Sequence, residues 1–580
     1  MKLESVESMQ IDWDVPIEMD DGAIVYADVF RPAMPGKYPV ILSHGVYGKG
    51  LPIQRFRHRL FQLVNTTPNK SVGDVFGADL ADAVVPNTSM EIDEDDYRVW
   101  EVVNPTDWVP HGYVVVRVDS RGSGSSPGRL DPLCPREIED YAACIEWSGV
   151  QSWSNGRVGL CGKSYYAMSQ WLVAAKKPSH LAAICVWHGW SDWYRDATRH
   201  GGIMYQFWEN FWYPQLALPV QHGIGPEAGF NPHSSRPIAG NTALDSDTLA
   251  RNRADIVNDI RTHPFEDEHY YKVRTPQLDQ ITVPVLASAD WSDHDLHLRG
   301  TIRGFEKISS KNKWLEIHAG GQFDDEASVD LQRRFFDYHL KETQNNWDDQ
   351  SPVQLALRKA DGSSATVEAS AWPIPGTEWR PYYFDFSTHS LEINEPAAAS
   401  QVSYKADGDG VTVYSQAMTE DTTIVGPVSA ALWMSSTTAD ADLFLVLNAV
   451  GPDGELVELR DHRAGLTPMT VGWLRASHRA LDPERSTPWQ PYHTHTSSEP
   501  LVPGQIYKVD VELRPTSLLL PAGYRLCLTI KGNGPAHNDP VDRPAQIFNN
   551  TVTVYNAPDM KSQLLIPVVP MHNDHLGENL

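Results

Sequence analysis

The sequence predicts an α/β protein with a largely helical cap and a separate all-β domain behind it. Three observations carry this prediction. Through the first half of the chain, short continuous apolar runs alternate with helix-like stretches. Inside that half, residues 186–282 are aromatic, His-rich and Pro-interrupted, with no strand-like run. After about residue 350, short β-rich runs alternate with Gly, Pro and Asp turns.

The strand candidates come first. Tyr38–Ser43, Tyr113–Asp119, Arg157–Cys161, Leu181–Val186 and Val283–Ala289 are apolar runs bounded by Gly, Pro or Asp, and Lys313–Ile317 is a weaker one. Runs of this kind suit strands buried on both faces. Glu137–Trp147 and Ala167–Lys177 have helical character and flank one of them. Strand–helix alternation implies a parallel sheet covered by helices. Residues 51–108, with the acidic patch Glu91–Asp96, break the pattern and read as an excursion over the sheet. Farther on, Val411–Tyr414, Ala431–Met434, Asp442–Leu447, Tyr507–Leu513 and Arg525–Ile530 predict a β-sandwich or jelly roll. The resulting domains are a core at 1–185 and 283–345, a cap at 186–282 and a sandwich at 351–580.

Composition narrows the function. The chain has 580 residues, 48 Lys+Arg against 75 Asp+Glu, and a formal charge of −27. That field disfavours nucleic acid and anionic membrane surfaces, which need clustered cations. No apolar run approaches a membrane span, and the N-terminus has no signal-like stretch. Five cysteines without pattern exclude a disulfide scaffold and predict a reducing, cytoplasmic setting. The assembly state is left open, a homo-oligomer included.

The sharpest local signal is Gly162-Lys163-Ser164-Tyr165-Tyr166-Ala167, directly between a strand and a helix. A serine there sits on a tight turn, with its hydroxyl exposed and the next backbone N–H aimed at a developing oxyanion. Tyr166 stands where many hydrolases have the second glycine. Gly-Lys-Ser also ends the phosphate-binding P-loop, but the glycine required five positions before Gly162 is Arg157, and the loop would begin before the strand.

The order of motifs resembles the cocaine esterase/α-amino-acid ester hydrolase/X-Pro dipeptidyl-peptidase group of α/β-hydrolases. Ser43-His44-Gly45-Val46-Tyr47-Gly48-Lys49 is similar to its oxyanion-tyrosine loop, and Asp119 to Gly128 to its D-x-R-G-x-G-x-S-x-G loop. Asp140 to Trp147, Trp153, Asn155-Gly156 and the Ser164 turn match the stretch around the nucleophile. Trp291-Ser292-Asp293 is similar to its W-x-D segment, and Ser517 to Leu526 resembles its C-terminal domain motif.

The resemblance implies an α/β-hydrolase core, a cap and a C-terminal jelly-roll sandwich. It also implies a serine esterase with a Ser…Asp…His order and no cofactor, acting on a small-molecule ester. We assign Ser164 as nucleophile, Asp293 as orienting acid with Asp290 and Asp295 as competitors, and His318 as base. In cocaine esterase-like members the histidine follows a G-P-W-x segment; a gapless match puts that place near Gly321. Tyr47 and the Tyr165 amide would form the oxyanion hole. Asp295 and Asp196 are candidates for binding a substrate ammonium. Trp187, Trp190, Trp193, Trp208 and Trp212 are candidates for an aromatic substrate wall, and cap packing explains them equally well. His294 and His297, beside Asp293 and Asp295, mimic a metal cluster, but no H-E-x-x-H spacing or distant third ligand group supports one. Alternatives to the esterase are an X-Pro-type peptidase or α-amino-acid ester/amide hydrolase, a biosynthetic acyltransferase, and a non-catalytic scaffold.

Overall fold

The computed structural model describes residues 9–55, 97–460, 466–534 and 543–570. Its first half is built on a ten-stranded sheet. The strands are β1 (Met9–Glu18), β2 (Ile24–Pro32), β3 (Tyr38–Gly45), β4 (Val114–Asp119), β5 (Ser154–Lys163), β6 (Leu181–Trp187), β7 (Val285–Asp290), β8 (Lys313–His318), β9 (Val353–Arg358) and β10 (Ser364–Ala369). Their order across the sheet is β1-β2-β4-β3-β5-β6-β7-β8-β9-β10. Every pairing from β4 to β9 is parallel, and the antiparallel hairpins β1–β2 and β9–β10 close the two edges. The chain steps from β3 to β4 on one side and returns to β5 on the other. Loops leaving β3 and β5 therefore diverge, which opens a crevice at the carboxyl ends of the strands.

Four longer helices cover this sheet: α1 (Pro135–Gly149), α2 (Tyr165–Ala174), α3 (Leu298–Lys307) and α4 (Glu326–Lys341). α1 starts where the sequence is suited to it, with Pro135 in its first turn and the Cys134 side chain accepting from the Glu137 amide. α2 is buried along its whole length, packed between sheet and cap.

Each expected strand and both expected helices coincide with one of these elements, Lys313–Ile317 included; the expected ends overrun the observed ones at Tyr113, at Val283–Pro284 and at Ala175–Lys177. The segment 353–369 pairs into the first sheet as β9 and β10, and the strands of the second large sheet begin with Glu378–Asp385. Leu355 and Val367, facing each other across that hairpin, are buried in the first core, which captures the hairpin. Among its regular elements the region 186–282 is mostly short helical turns, interrupted by small ribbons. It holds π-helical turns at Trp193–Thr198 and Trp208–Ala217, three short helices, and two-stranded ribbons at Arg199–His200/Ile203–Met204 and Gly225–Phe230/Pro237–Ala239. Pro214 inside the second π-turn keeps it from becoming a regular helix. Of the excursion at 51–108, residues 56–96 with the acidic patch lie outside the described residues.

The C-terminal domain has an eleven-stranded antiparallel-rich sheet with its own apolar core. Its longest strand, Thr422–Ser436, pairs with Tyr507–Leu520 on one edge and with both Thr551–Asn556 and Gln563–Val568 on the other. Through Gln563–Val568 the ladder closes on itself, which leaves few free edges. Among the described residues no helix is long and apolar enough to cross a membrane.

Candidate active site

Register brings the chemistry together. Lys163, the last residue of β5, pairs with Trp187 of β6, which pairs with Ser288 of β7, and Asp290 pairs with His318 of β8. Ser164, His188, the Trp291–His297 loop and His318 thus leave four adjacent strands at the same end of the sheet.

Ser164 lies at φ 58°, ψ −116°, a conformation that non-glycine residues adopt only in sharp turns. Two glycines make the turn fit. A Cβ on Gly162 would come within 2.5 Å of Tyr166 Cβ, and one on Gly45 within 2.6 Å of the Tyr166 ring. Tyr166 therefore takes the place of a small residue because its neighbours gave up their side chains.

The imidazole that meets the nucleophile is His297, not His318. His297 Nε2 is 3.1 Å from Ser164 Oγ, and His297 Nδ1 is hydrogen-bonded to Asp293 Oδ2. Asp293 and His297 are four residues apart in the loop that runs into α3, so one turn of chain presents both. His318 is held one side chain away. Its Nε2 is 3.0 Å from His188 Nε2, and His188 Nδ1 is 3.1 Å from the same Asp293 Oδ2. The reason is local: His318 ends β8, where Trp187 stacks on it at 5.4 Å and Glu316 Oε2 lies 2.9 Å from its Nδ1. The pairing of His318 with Ser164 expected from the sequence is thus absent, and the His297 read as a metal mimic stands in its place. His188 is absent from the residues the motifs point to; its position just past a buried strand is the signal for it.

Burial works against an ionised Asp293, yet the charge of His297 and hydrogen bonds from His188 and His297 hold its carboxyl well below the usual range. Burial and the nearby Lys163 charge push His188 well below an ordinary imidazole, although Asp293 opposes them. Burial would also lower His318, but the Glu316 and Asp290 carboxylates together outweigh it and the imidazole titrates above its ordinary value. His188, Asp293 and His297 bring ligand atoms within 4.8 Å of one another, a spacing a metal ion would use; here those atoms are joined by hydrogen bonds.

Of the competing acids, Asp290 accepts from Ser292 N at 2.7 Å and Gly320 N at 2.6 Å, so it shapes the turn. Asp295 is pushed up to about 6 by burial and by the charge of Asp293.

Tyr47 follows β3. Its oxygen accepts from Trp212 Nε1 at 2.8 Å, which leaves the phenolic proton free to donate, and a hydrogen bond relates it to Ser164. Burial raises the phenol well above its usual range, so it stays protonated. The Asp119–Gly128 loop fixes this tyrosine: Lys49 N donates to Asp119 Oδ1 at 2.6 Å and Ser123 Oγ to the Val46 carbonyl at 2.8 Å. Tyr165 opens α2, where a backbone N–H has no partner within the helix; its own hydroxyl donates to Glu137 at 2.7 Å.

The remaining candidates divide. Trp190 stacks on His297 at 5.4 Å, and Trp208 packs edge-on against Trp190 and Trp193, so these rings back the imidazole. Trp187 backs His318 in the same way. Asp196 does not reach the nucleophile: it pairs with Arg299 at 2.6 Å and accepts from the Ser191 and Asp192 amides. Glu101, not anticipated, has a buried carboxylate oxygen with no hydrogen-bond partner among the described residues. Burial pushes it up to about 8, while the charge of Lys163 pulls it back.

Comparison with known proteins places these features. Residues 21–321 match the family described as X-Pro dipeptidyl-peptidase (S15 family), and residues 345–565 match the X-Pro dipeptidyl-peptidase C-terminal non-catalytic domain. A crystal structure of a CocE/NonD family hydrolase from Staphylococcus aureus is 31% identical, with a TM-score of 0.80 over 97% of this chain and 94% of that one. The cocaine esterase of Rhodococcus sp. is 21% identical over 96% of this chain and 98% of its own. An aminopeptidase from a Thaumarchaeota archaeon, 16% identical with a TM-score of 0.68 over 97% of both chains, shares the fold.

Proposed function

The chain belongs to the S15 family of serine hydrolases, of the CocE/NonD type, and from that premise we propose that it cleaves small-molecule carboxylic esters through an acyl-enzyme on Ser164. The observation that carries this reading is the 3.1 Å contact between Ser164 Oγ and His297 Nε2, with Asp293 on the far nitrogen. His297 takes the Ser164 proton as Oγ bonds to the ester carbon. The carbonyl electrons move to oxygen, where the Tyr47 hydroxyl and the Tyr165 N–H donate to the charge. Collapse expels the alkoxide, which takes the proton from His297 and leaves as alcohol. Water then repeats the sequence: His297 deprotonates it, the acid departs, and Ser164 regains its proton.

Ester preference is supported by Asp196, the cap carboxylate suited to an ammonium, being consumed by Arg299. A second reading, an amine-bearing acyl group as in amino-acid esters or peptides, draws on the unpartnered oxygen of Glu101. The five free thiols support a reducing, cytoplasmic setting.

The test is fluorophosphonate labelling mapped by peptide mass. A single adduct on Ser164, abolished in Ser164→Ala and strongly slowed in His297→Ala, is expected; full-rate labelling of His297→Ala would reject the proposed base. Acyl p-nitrophenyl esters should then outpace aminoacyl p-nitroanilides, and the reverse order would favour the second reading.

A further inference from the structure

The hydrogen-bonded series does not stop at Asp293. It continues through His188 and His318 to Glu316, at 3.1, 3.0 and 2.9 Å. Resting on the assignment of Ser164, His297 and Asp293 above, we infer that His188 and His318 are positioning residues that form a cationic extension of the triad, with an imidazolium at His318 held between Glu316 and His188.

Proton counting leads to this arrangement. A neutral imidazole has one N–H and one lone pair. Asp293 Oδ2 is a carboxylate oxygen, so His188 Nδ1 must donate to it, and His188 Nε2 is then a lone pair. Glu316 is a carboxylate as well, so His318 Nδ1 must donate to it. If both rings were neutral, two lone pairs would face each other at the 3.0 Å Nε2–Nε2 contact. One further proton on His318 Nε2 satisfies all three bonds at once. The surroundings favour that charge. Asp290 Oδ2 lies 3.8 Å from His318 Nε2, Ser288 Oγ is 3.3 Å from Nδ1, and Trp187 stacks on the ring. The charge of Lys163 acts against it, and Glu316 outweighs Lys163 in the direction of the shift.

The consequence falls on His297. Asp293 Oδ2 receives N–H donors from two imidazoles, while Asp293 Oδ1 has no partner among the described residues. The donor from His188 is strengthened by the charge behind it. Asp293 is thereby a weaker acceptor for His297, and the nearby positive charge further disfavours protonated His297. Both effects weaken the ion pair between Asp293 and His297, and so should move the pH dependence of acylation at Ser164.

The experiment is the rate constant for fluorophosphonate labelling of Ser164 across pH, in the full chain, for wild type, His318→Gln, Glu316→Gln and the double variant. Removing the charge should move the acid-side midpoint up by about half to one pH unit, as expected for a charge at this remove in a partly polarisable interior. Glu316→Gln is nearly isosteric and should shift the midpoint in the same direction. The double variant should match Glu316→Gln, because neither then carries the charge of Glu316 or of His318, whereas His318→Gln alone leaves the Glu316 carboxylate unpaired and should shift the midpoint furthest. Midpoints that stay fixed, with only the amplitude of the rate reduced, would overturn the cationic extension and leave the pair as packing. A failure of the underlying triad is read separately, as full-rate labelling in His297→Ala.

Discussion

Tyr47 owes its chemical role to a neighbour. A phenol can donate or accept, and the indole N–H of Trp212 settles which by occupying the oxygen as acceptor. The remaining proton is preorganised, and preorganised donors in a water-poor site contribute most of an oxyanion hole. Tyr47→Phe keeps the ring and its packing against Tyr165 and Tyr166. It should lower kcat for a p-nitrophenyl ester by about 10²–10³-fold with KM little changed. A loss confined to KM would assign the tyrosine to substrate binding. At this same scale the sequence was legible only where the geometry is local. The strand–turn–helix around Ser164 and the loop carrying Tyr47 are each set by residues within a few positions, and both could be read. Which imidazole reaches Ser164 depends on how one loop turns between two strands. The i,i+4 spacing of Asp293 and His297 is visible, but four titratable residues in the five positions 293–297 admit several readings, a metal cluster among them.

At the scale of elements, the start of α3 sets the position of the base. His297 immediately precedes the helix, and the Leu298 amide donates to the Asp293 carbonyl at 3.1 Å, so loop and helix move as one. Gly300 lets this helix approach the cap. A Cβ there would lie 2.5 Å from Trp190 Cα, 2.5 Å from Asp196 Oδ2 and 2.6 Å from the Ser191 amide, two of them backbone atoms that cannot step aside. Gly300→Ala should therefore push α3 outward, costing about 1–3 kcal/mol of stability. It should also drop kcat/KM about 10²-fold through misplacement of His297. Thermal melting with ester kinetics on the same preparation checks this; a lowered Tm with unchanged kinetics would separate α3 from the site. Elements themselves were largely readable because buried parallel strands are continuous apolar runs. The cap was not, since its irregular turns are held by tertiary contacts such as Trp208 Nε1 donating to the Ala197 carbonyl, which leave no period in the sequence. The pairing of the β9–β10 hairpin is hidden for a related reason: alternation identifies a strand, but not which of two cores its apolar face enters.

At the scale of the whole molecule, the C-terminal domain reaches back to the loop that carries Asp293 and His297. Arg514 Nε donates to the His294 carbonyl at 3.0 Å, and Arg299, two residues past His297, joins Asp196 of the cap at 2.6 Å to Glu512 of the β-domain at 2.9 Å. One buried arginine thus ties core, cap and β-domain together beside the base. Removing one member of such a buried network leaves the others uncompensated, at a cost of about 3–5 kcal/mol. Burial opposes the ionised form of Glu512, yet the charges of Arg299, Arg303 and Arg514 bring its carboxyl down to about 2. A carboxyl depressed on folding contributes stability that is fully present above the unfolded value of about 4.3 and is lost as pH falls through the folded one. The Tm of the wild type should therefore exceed that of Glu512→Gln by a constant margin from pH 7 to about 5. The margin should close as pH falls from about 4.3 toward 2, where the native glutamate also becomes neutral. Melting curves for both proteins over that range provide the check. Parallel curves would mean that the Glu512 charge does not hold the domains, and that the β-domain is fastened to the catalytic loop by its apolar and backbone contacts alone.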